Sequence, residues 1–315
     1  MSDSADTLTV LHSPHLRLAK RLRIDGGSDG YDKAKTLDAY TVELTGLDDL
    51  FQLLQRLVSR PSCCVVRGRL LYGNSAKGIR RLLHIDRETG ELPTFEDTPR
   101  RWLALDLDGL PMPEGVLASD LAACGAAALA ALPEAFQGAA YIVQASASHG
   151  VKPGLRLRIW IWLSRPTWGH EAKRWLKASP CDPSVFGAVQ PIYTAAPVLA
   201  PGVPNPIPER LLALTGRPLV AVPSPETLTP PPPPQPSAAT IREGIAHRYV
   251  RAALERAATN IANAREGNRH PLIVAEFVAW LGSWRPAGST PATSPASCGL
   301  PRSRLAKTMR ASSTP

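Results

Sequence analysis

The chain has 315 residues, 44% hydrophobic and 20% charged, which is enough for one large domain or two modest ones built around a real core. No apolar run reaches the ~18 residues that a membrane span needs, and the most apolar stretch, "LAACGAAALAALP" from Leu121, is stopped by Pro133. The net charge of +9 is uneven: from Thr240 onward there are 11 basic and 4 acidic residues, against 25 and 23 in the rest, so charge alone does not mark the larger part as a binder of polyanions.

Residues 1–40 are polar and mixed, with a basic patch "RLAKRLR" and a turn-rich "DGGSDGYD"; they read as a loose lead-in. They hold no apolar core after the first charges, so no signal peptide is predicted, and a cytoplasmic protein is expected. Five cysteines without CxxC spacing suggest free thiols, neither a disulfide framework nor a zinc site. "LDDLFQLLQRLVSR" (47–60) has helical spacing and acids in its first turn. "CCVVRGRLL" and "RRWLALDLDG" follow as strands. "LASDLAACGAAALAALP" predicts a helix that begins at Ser119 or Pro113. "AAYIVQASAS" and "LRLRIWIWLS" are strands, and Thr167 to Ser179 is a helix. This order predicts an α+β domain over residues 41–221, with a partly antiparallel sheet flanked by helices. Residues 222–239 contain five consecutive prolines and predict a stiff, extended linker. Residues 240–282 predict a small helical segment of two helices broken near "EGNRHP". Residues 283–315 contain no acid and read as a disordered or out-of-frame tail.

The chemistry centres on "RRWLALDLDGL". Side chains alternate along a strand, so Trp102, Ala104, Asp106 and Asp108 share one face and Leu103, Leu105 and Leu107 the other. Both aspartates then leave the sheet on one side, about 7 Å apart along the strand. Two such carboxylates repel, and burial raises their pKa. A divalent cation relieves both effects and suits phosphoryl or nucleotidyl transfer. A solvated strand end with an Asp-Gly turn has the same pattern. By the same alternation Arg156 and Arg158 share a face with Trp160 and Trp162. They are placed either to take an anionic ligand through their guanidinium forks or to pair with acids. Ser148 and His149 lie in the loop "QASASHGVKPG", and Asp182 opens "DPSVFGAVQPIYTAAP". The histidine alone is equally readable as packing, and the Asp-Pro as a turn.

Taken together these segments resemble the archaeo-eukaryotic primase superfamily, in particular the bifunctional primase-polymerase domains of bacterial plasmids, phages and integrated elements. The resemblance covers roughly Leu44 to Gly216. It is carried by the Asp-x-Asp strand end, by an aromatic-rich strand standing where the family has its Ser-x-His strand, and by a later acid followed by "QPIYTAAP". It implies a nucleotidyltransferase that makes or extends primers on a single-stranded DNA template. Asp106, Asp108 and Asp182 would act as catalytic acids holding Mg²⁺ or Mn²⁺, and Arg156, Arg158, His149 and Ser148 as nucleotide-binding residues. Its implied partners are single-stranded DNA, nucleoside triphosphates and a helicase encoded separately or lost by truncation. The family's histidine falls on Arg158 here, which keeps a cation and changes its geometry. No GxxxxGK[ST] loop is present, so no ATPase is indicated. Two other functions use the same residues: a catalytically weak replication protein that holds single-stranded DNA, and a metal-dependent nuclease.

Overall fold

The computed structural model describes residues 6–229 and 245–263. The chain divides into two compact units, Met1–Pro231 and Pro232–Pro315. Of the predicted segments, most of the proline linker, the second helix of 240–282 and the tail from 283 lie outside the described residues.

The first unit begins with an ordered strand, which corrects the expected lead-in. β1 (Asp6–His12) pairs antiparallel with both β4 (Leu37–Leu44) and β5 (Cys63–Val66), and it is an inner strand of a sheet ordered β5-β1-β4-β7, where β7 is Ser75–Ile79. The sequence "TLTVLH" alternates across two buried faces. Leu8 and Val10 enter the main core with Cys63 and Val65, while Leu11 enters a smaller core with Cys64, Val66, Leu70 and Phe95. β1 and β5 are thus covered on both faces, whereas β4 and β7 keep exposed positions. Between β1 and β4 the chain makes a short excursion through β2 (Arg21–Leu22) and β3 (Ser28–Asp29). The helix α1 (Leu47–Val58) buries Leu50, Leu53, Leu54 and Leu57, as its spacing predicts.

After β6 (Arg69–Leu70) and β8 (Phe95–Glu96), which pair with each other, comes the second sheet. It contains β9 (Arg100–Leu110), β10 (Tyr141–Ala145), β11 (Leu155–Thr167) and β13 (Leu211–Leu214), all antiparallel neighbours in the order β13-β10-β11-β9. The helix α2 (Leu121–Ala130) packs on it. Its N-cap is Asp120, whose carboxylate accepts from the Ala123 amide at 3.0 Å, one residue beyond the predicted Ser119. Gly125 of α2 lies so close to Tyr141 and Val143 that an added Cβ would sit 3.1–3.2 Å from them. The helix α3 (Gly169–Trp175), the strand β12 (Val198–Leu199), which pairs in parallel with β2, and the short helix α4 (Pro225–Leu228) complete the unit. The architecture is α+β with antiparallel sheets. In the second unit, α5 (Ile245–Ala262) is described, with an exposed Arg251–Glu255 pair at 3.4 Å. No described helix is long and apolar enough to cross a membrane. Cys63, Cys64, Cys124 and Cys181 are buried free thiols, as expected.

A buried arginine joins the two sheets. Arg67, 1% exposed, donates to the carbonyls of Trp102 (3.1 Å) and Thr167 (2.9 Å), and its guanidinium lies 5.4 Å from the Trp102 ring centroid. Next to it Arg100 donates to the Arg67 carbonyl at 2.7 Å and pairs with Asp6 at 3.2 Å. Burial, with the Arg100 charge beside it, pulls the Arg67 pKa down to about 10, so it stays charged at neutral pH. Two carbonyl partners and an aromatic face compensate the desolvation that an isolated cation would suffer. Replacing Arg67 with Ala removes both bonds and leaves a cavity, and it should cost about 3 kcal/mol in urea unfolding. A loss below about 0.5 kcal/mol, the scale of surface substitutions, would show that the arginine is not a structural tie.

Candidate functional site

β9 and β11 pair so that Asp106 stands directly opposite Arg158 and Asp108 directly opposite Arg156. Residues directly opposite in an antiparallel pair project on the same face. The faces read from alternation are therefore those in the structure, and the two predicted pairs meet. An Arg158 terminal nitrogen (Nη2) donates to Asp106 Oδ1 at 3.1 Å, and Arg156 Nη1 lies 3.6 Å from Asp108 Oδ2. The arginines thus pair with the acids, one of the two roles open to them in the sequence.

The Asp106 carbonyl points to the free edge of β9, where it accepts from the Asp182 amide at 2.9 Å. Asp106 and Arg158 are therefore a non-hydrogen-bonded pair, the class in which opposite side chains approach most closely. Further out, Gly109 has φ +87°, and Gly154 approaches it so closely that an added Cβ would sit 2.6 Å from the Leu110 carbonyl oxygen. The pleat is thereby broken at the strand end, just beyond the second acid.

Burial depth separates the two pairs. The Arg158 side chain is 8% exposed and that of Asp106 21%, whereas the Asp108 side chain is 54% exposed. Desolvation, followed by the neighbouring Asp106 charge, raises the Asp108 pKa; Arg156, Lys20 and Arg158 oppose the shift.

The segment "QPIYTAAP" runs over this face. Ile192 bridges to Val65 of β5, the Tyr193 carbonyl accepts from Arg158 Nη1 at 2.6 Å, and the Thr194 carbonyl accepts from Gln144 at 2.7 Å. Gln144 in turn accepts from the Trp160 indole at 3.1 Å. Carbonyls aimed at buried donors are what this specific segment supplies to the core.

Asp182 is brought beside Asp106 by its backbone. Its carboxylate is exposed and accepts from the Ser184 amide (2.8 Å) and hydroxyl (2.7 Å), capping the 3-10 turn Pro183–Phe186. Ser148 is 7% exposed, with its hydroxyl 3.4 Å from that of Ser146. His149 is fully buried. Its Nδ1 accepts from the Arg156 amide at 3.3 Å, and its Nε2–H donates to the Ala118 carbonyl at 2.9 Å. Both ring nitrogens are committed to backbone, so the ring holds the Arg156 main chain where β10 has ended and has no nitrogen left for a phosphate.

Two residues missed in the sequence complete the site. Tyr31 stacks on Tyr193 with ring centroids 3.5 Å apart and planes 6° apart, and the Lys20 ammonium lies 5.6 Å from the Tyr31 ring centroid. Burial pushes the Tyr31 hydroxyl up to about 12, with Asp106 and Asp108 adding and Arg158 opposing, so it remains a neutral donor. Both residues come from the β1–β4 excursion, and the signal that could have found them is the "TLTVLH" strand before it.

The donors are all hard oxygens, suited to Mg²⁺ or Mn²⁺. Among the described residues no group of three acids, histidines or cysteines converges on one point. Mg²⁺ is commonly held by one or two carboxylates together with substrate phosphates and waters. Asp106 and Asp108 fit that mode and do not make a closed cage. No protein-family model, curated protein or solved structure matches this chain.

Burial holds His149 neutral, lowering its pKa. A depressed histidine pKa contributes stability that is present above the unfolded value of about 6.5 and is lost as pH falls through and below it. Urea midpoints measured at pH 7.5 and 5.5 should therefore fall more for the native protein than for His149→Gln, which cannot titrate. Equal falls would mean that protonation of this ring is not coupled to folding.

Proposed function

We propose that the first unit is a primase-polymerase-like nucleotidyltransferase that makes or extends primers on a single-stranded DNA template. The observation that carries this reading is the register that brings Asp106, Asp108, Arg156 and Arg158 to one end of one sheet, with Asp182 bonded to the Asp106 carbonyl. Asp106 and Asp108 would hold Mg²⁺ or Mn²⁺ together with the nucleotide's phosphates. When bound, the cation supplies charge stabilisation to the attacking and leaving oxygens of an in-line displacement. The chain's own residues do the rest. Arg158 fixes the Asp106 carboxylate, Arg156 fixes Asp108, and the tyrosine stack walls the face. The reaction is attack of a 3′-hydroxyl on the α-phosphate, with pyrophosphate leaving. Asp182, spent on its own turn, has a supporting role in this account.

One observation favours a second reading. Where the family has histidine, Arg158 already pairs with Asp106 at 3.1 Å, so the site is charge-balanced without a cation. A replication protein that binds single-stranded DNA and lacks efficient catalysis would tolerate that arrangement.

Template-directed incorporation of labelled nucleotides, with Mg²⁺ or Mn²⁺, separates the two. Asp106→Ala and Asp108→Ala should each lower incorporation at least about 100-fold, the scale of removing a principal transition-state electrostatic group, and omitting the cation should abolish it. Template binding that survives in both variants, with no incorporation by the native protein, would favour the second reading. Shortening of the labelled template would point to a nuclease.

A further inference from the structure

Two arginines face the acid pair and a lysine lies nearby, and of the three Arg158 is committed by hydrogen bonds. Arg158 gives one terminal nitrogen to Asp106 and the other to the Tyr193 carbonyl, and it is 7% exposed. Arg156 faces Asp108. Lys20 differs: its ammonium rests over the Tyr31 ring, and among the described residues no carboxylate lies within 4 Å of it. It is still near enough to favour ionisation of Asp108.

We propose that Lys20 is the cation that receives the nucleotide's triphosphate, with Tyr31 holding its ammonium ready at the site. This inference rests on the nucleotidyltransferase reading above.

The local fold is built to present this pair. The Lys20 carbonyl accepts from the Val198 amide at 2.8 Å, and its neighbours Ala19 and Leu22 are 1% and 3% exposed, so the backbone is pinned. Arg17 and Asp32 clasp the base of the excursion. The Arg17 amide donates to Asp32 Oδ2 at 2.7 Å, the Asp32 amide donates to the Arg17 carbonyl at 2.9 Å, and the two side chains pair at 3.3 Å. The stretch from 17 to 32 is thus closed on itself, with Lys20 beside Tyr31, whose ring stacks on Tyr193, the residue whose carbonyl holds Arg158. A contact with a ring face holds an ammonium weakly, by about 0.5–1 kcal/mol where water has access. Lysine, a point charge with three donors on a flexible stem, can leave the ring for a phosphate without the fixed bidentate geometry that an arginine fork demands. Moving Arg158 to a phosphate would instead break its hydrogen bonds to the partly buried Asp106 carboxylate and the Tyr193 carbonyl, a larger loss.

The test is equilibrium dialysis of the full chain with Mg²⁺ and labelled dATP, dAMP or deoxyadenosine. Lys20→Gln keeps a polar side chain one atom shorter and removes the charge. It should weaken dATP roughly tenfold or more and leave deoxyadenosine unchanged, the mark of a charge-assisted phosphate contact. Lys20→Arg should recover most of the affinity for dATP. Native protein that binds dATP as tightly as Lys20→Gln would overturn the role of Lys20 and leave the nucleotidyltransferase reading standing. Native protein that binds no nucleotide would overturn that reading and this inference with it. An equal loss for dATP and deoxyadenosine would assign Lys20 to the shape of the site and refute the phosphate contact.

Discussion

The register between β9 and β11 is the constraint on which the site depends. A slip of one residue would turn Asp106 and Asp108 to the opposite face and send Leu105 and Leu107 outward. The long apolar runs on both strands prevent that slip, since Leu103, Leu105 and Leu107 face Ile161, Ile159 and Leu157, all fully buried. The polar end is therefore held by the apolar body. The same register that buries the leucines sets each acid against an arginine.

Around this end the rest of the unit supplies cover and rigidity. "QPIYTAAP" gives carbonyls to Arg158 and Gln144, and His149 finishes the Arg156 backbone where β10 has run out. Arg67 ties the far ends of β9 and β11 to the first sheet through the carbonyls of Trp102 and Thr167. Each of these groups is a buried donor or acceptor with a backbone partner. Together they pin β9 and β11 at both ends, through Arg67 at one and through Arg158 and His149 at the other.

What the sequence made legible follows from periodicity. The strand from Arg100, the helix at 47–58 and the β11 strand each carry a strong pattern, and the shared faces of Asp106, Asp108, Arg156 and Arg158 follow from simple alternation. That the arginines would meet those acids was not fixed, because pairing between strands some 50 residues apart is a tertiary fact. The opening strand escaped notice because it lies inside its sheet between β4 and β5, covered on both faces, within a polar stretch that composition marks as a lead-in. Lys20 and Tyr31 escaped with it, lying in an excursion whose basic and turn-rich composition looks like a loose terminus. Ser119 lost the N-cap to Asp120 by one residue, the usual scale of uncertainty in helix ends. For His149 the residue type suggested phosphate binding, but full burial gives both nitrogens to backbone.

The central claim is that a divalent cation enters this site with its nucleotide, because among the described residues only two carboxylates converge and each already has a guanidinium partner. Counting free Mn²⁺ by electron paramagnetic resonance during titration of the full chain tests it directly. The account predicts weak binding of Mn²⁺ alone. It predicts clear additional binding when a nucleoside triphosphate is present, beyond that of the nucleotide itself, and loss of that increment in the protein carrying both Asp106→Ala and Asp108→Ala. Tight binding of Mn²⁺ without nucleotide, or an increment indifferent to both aspartates, would contradict it.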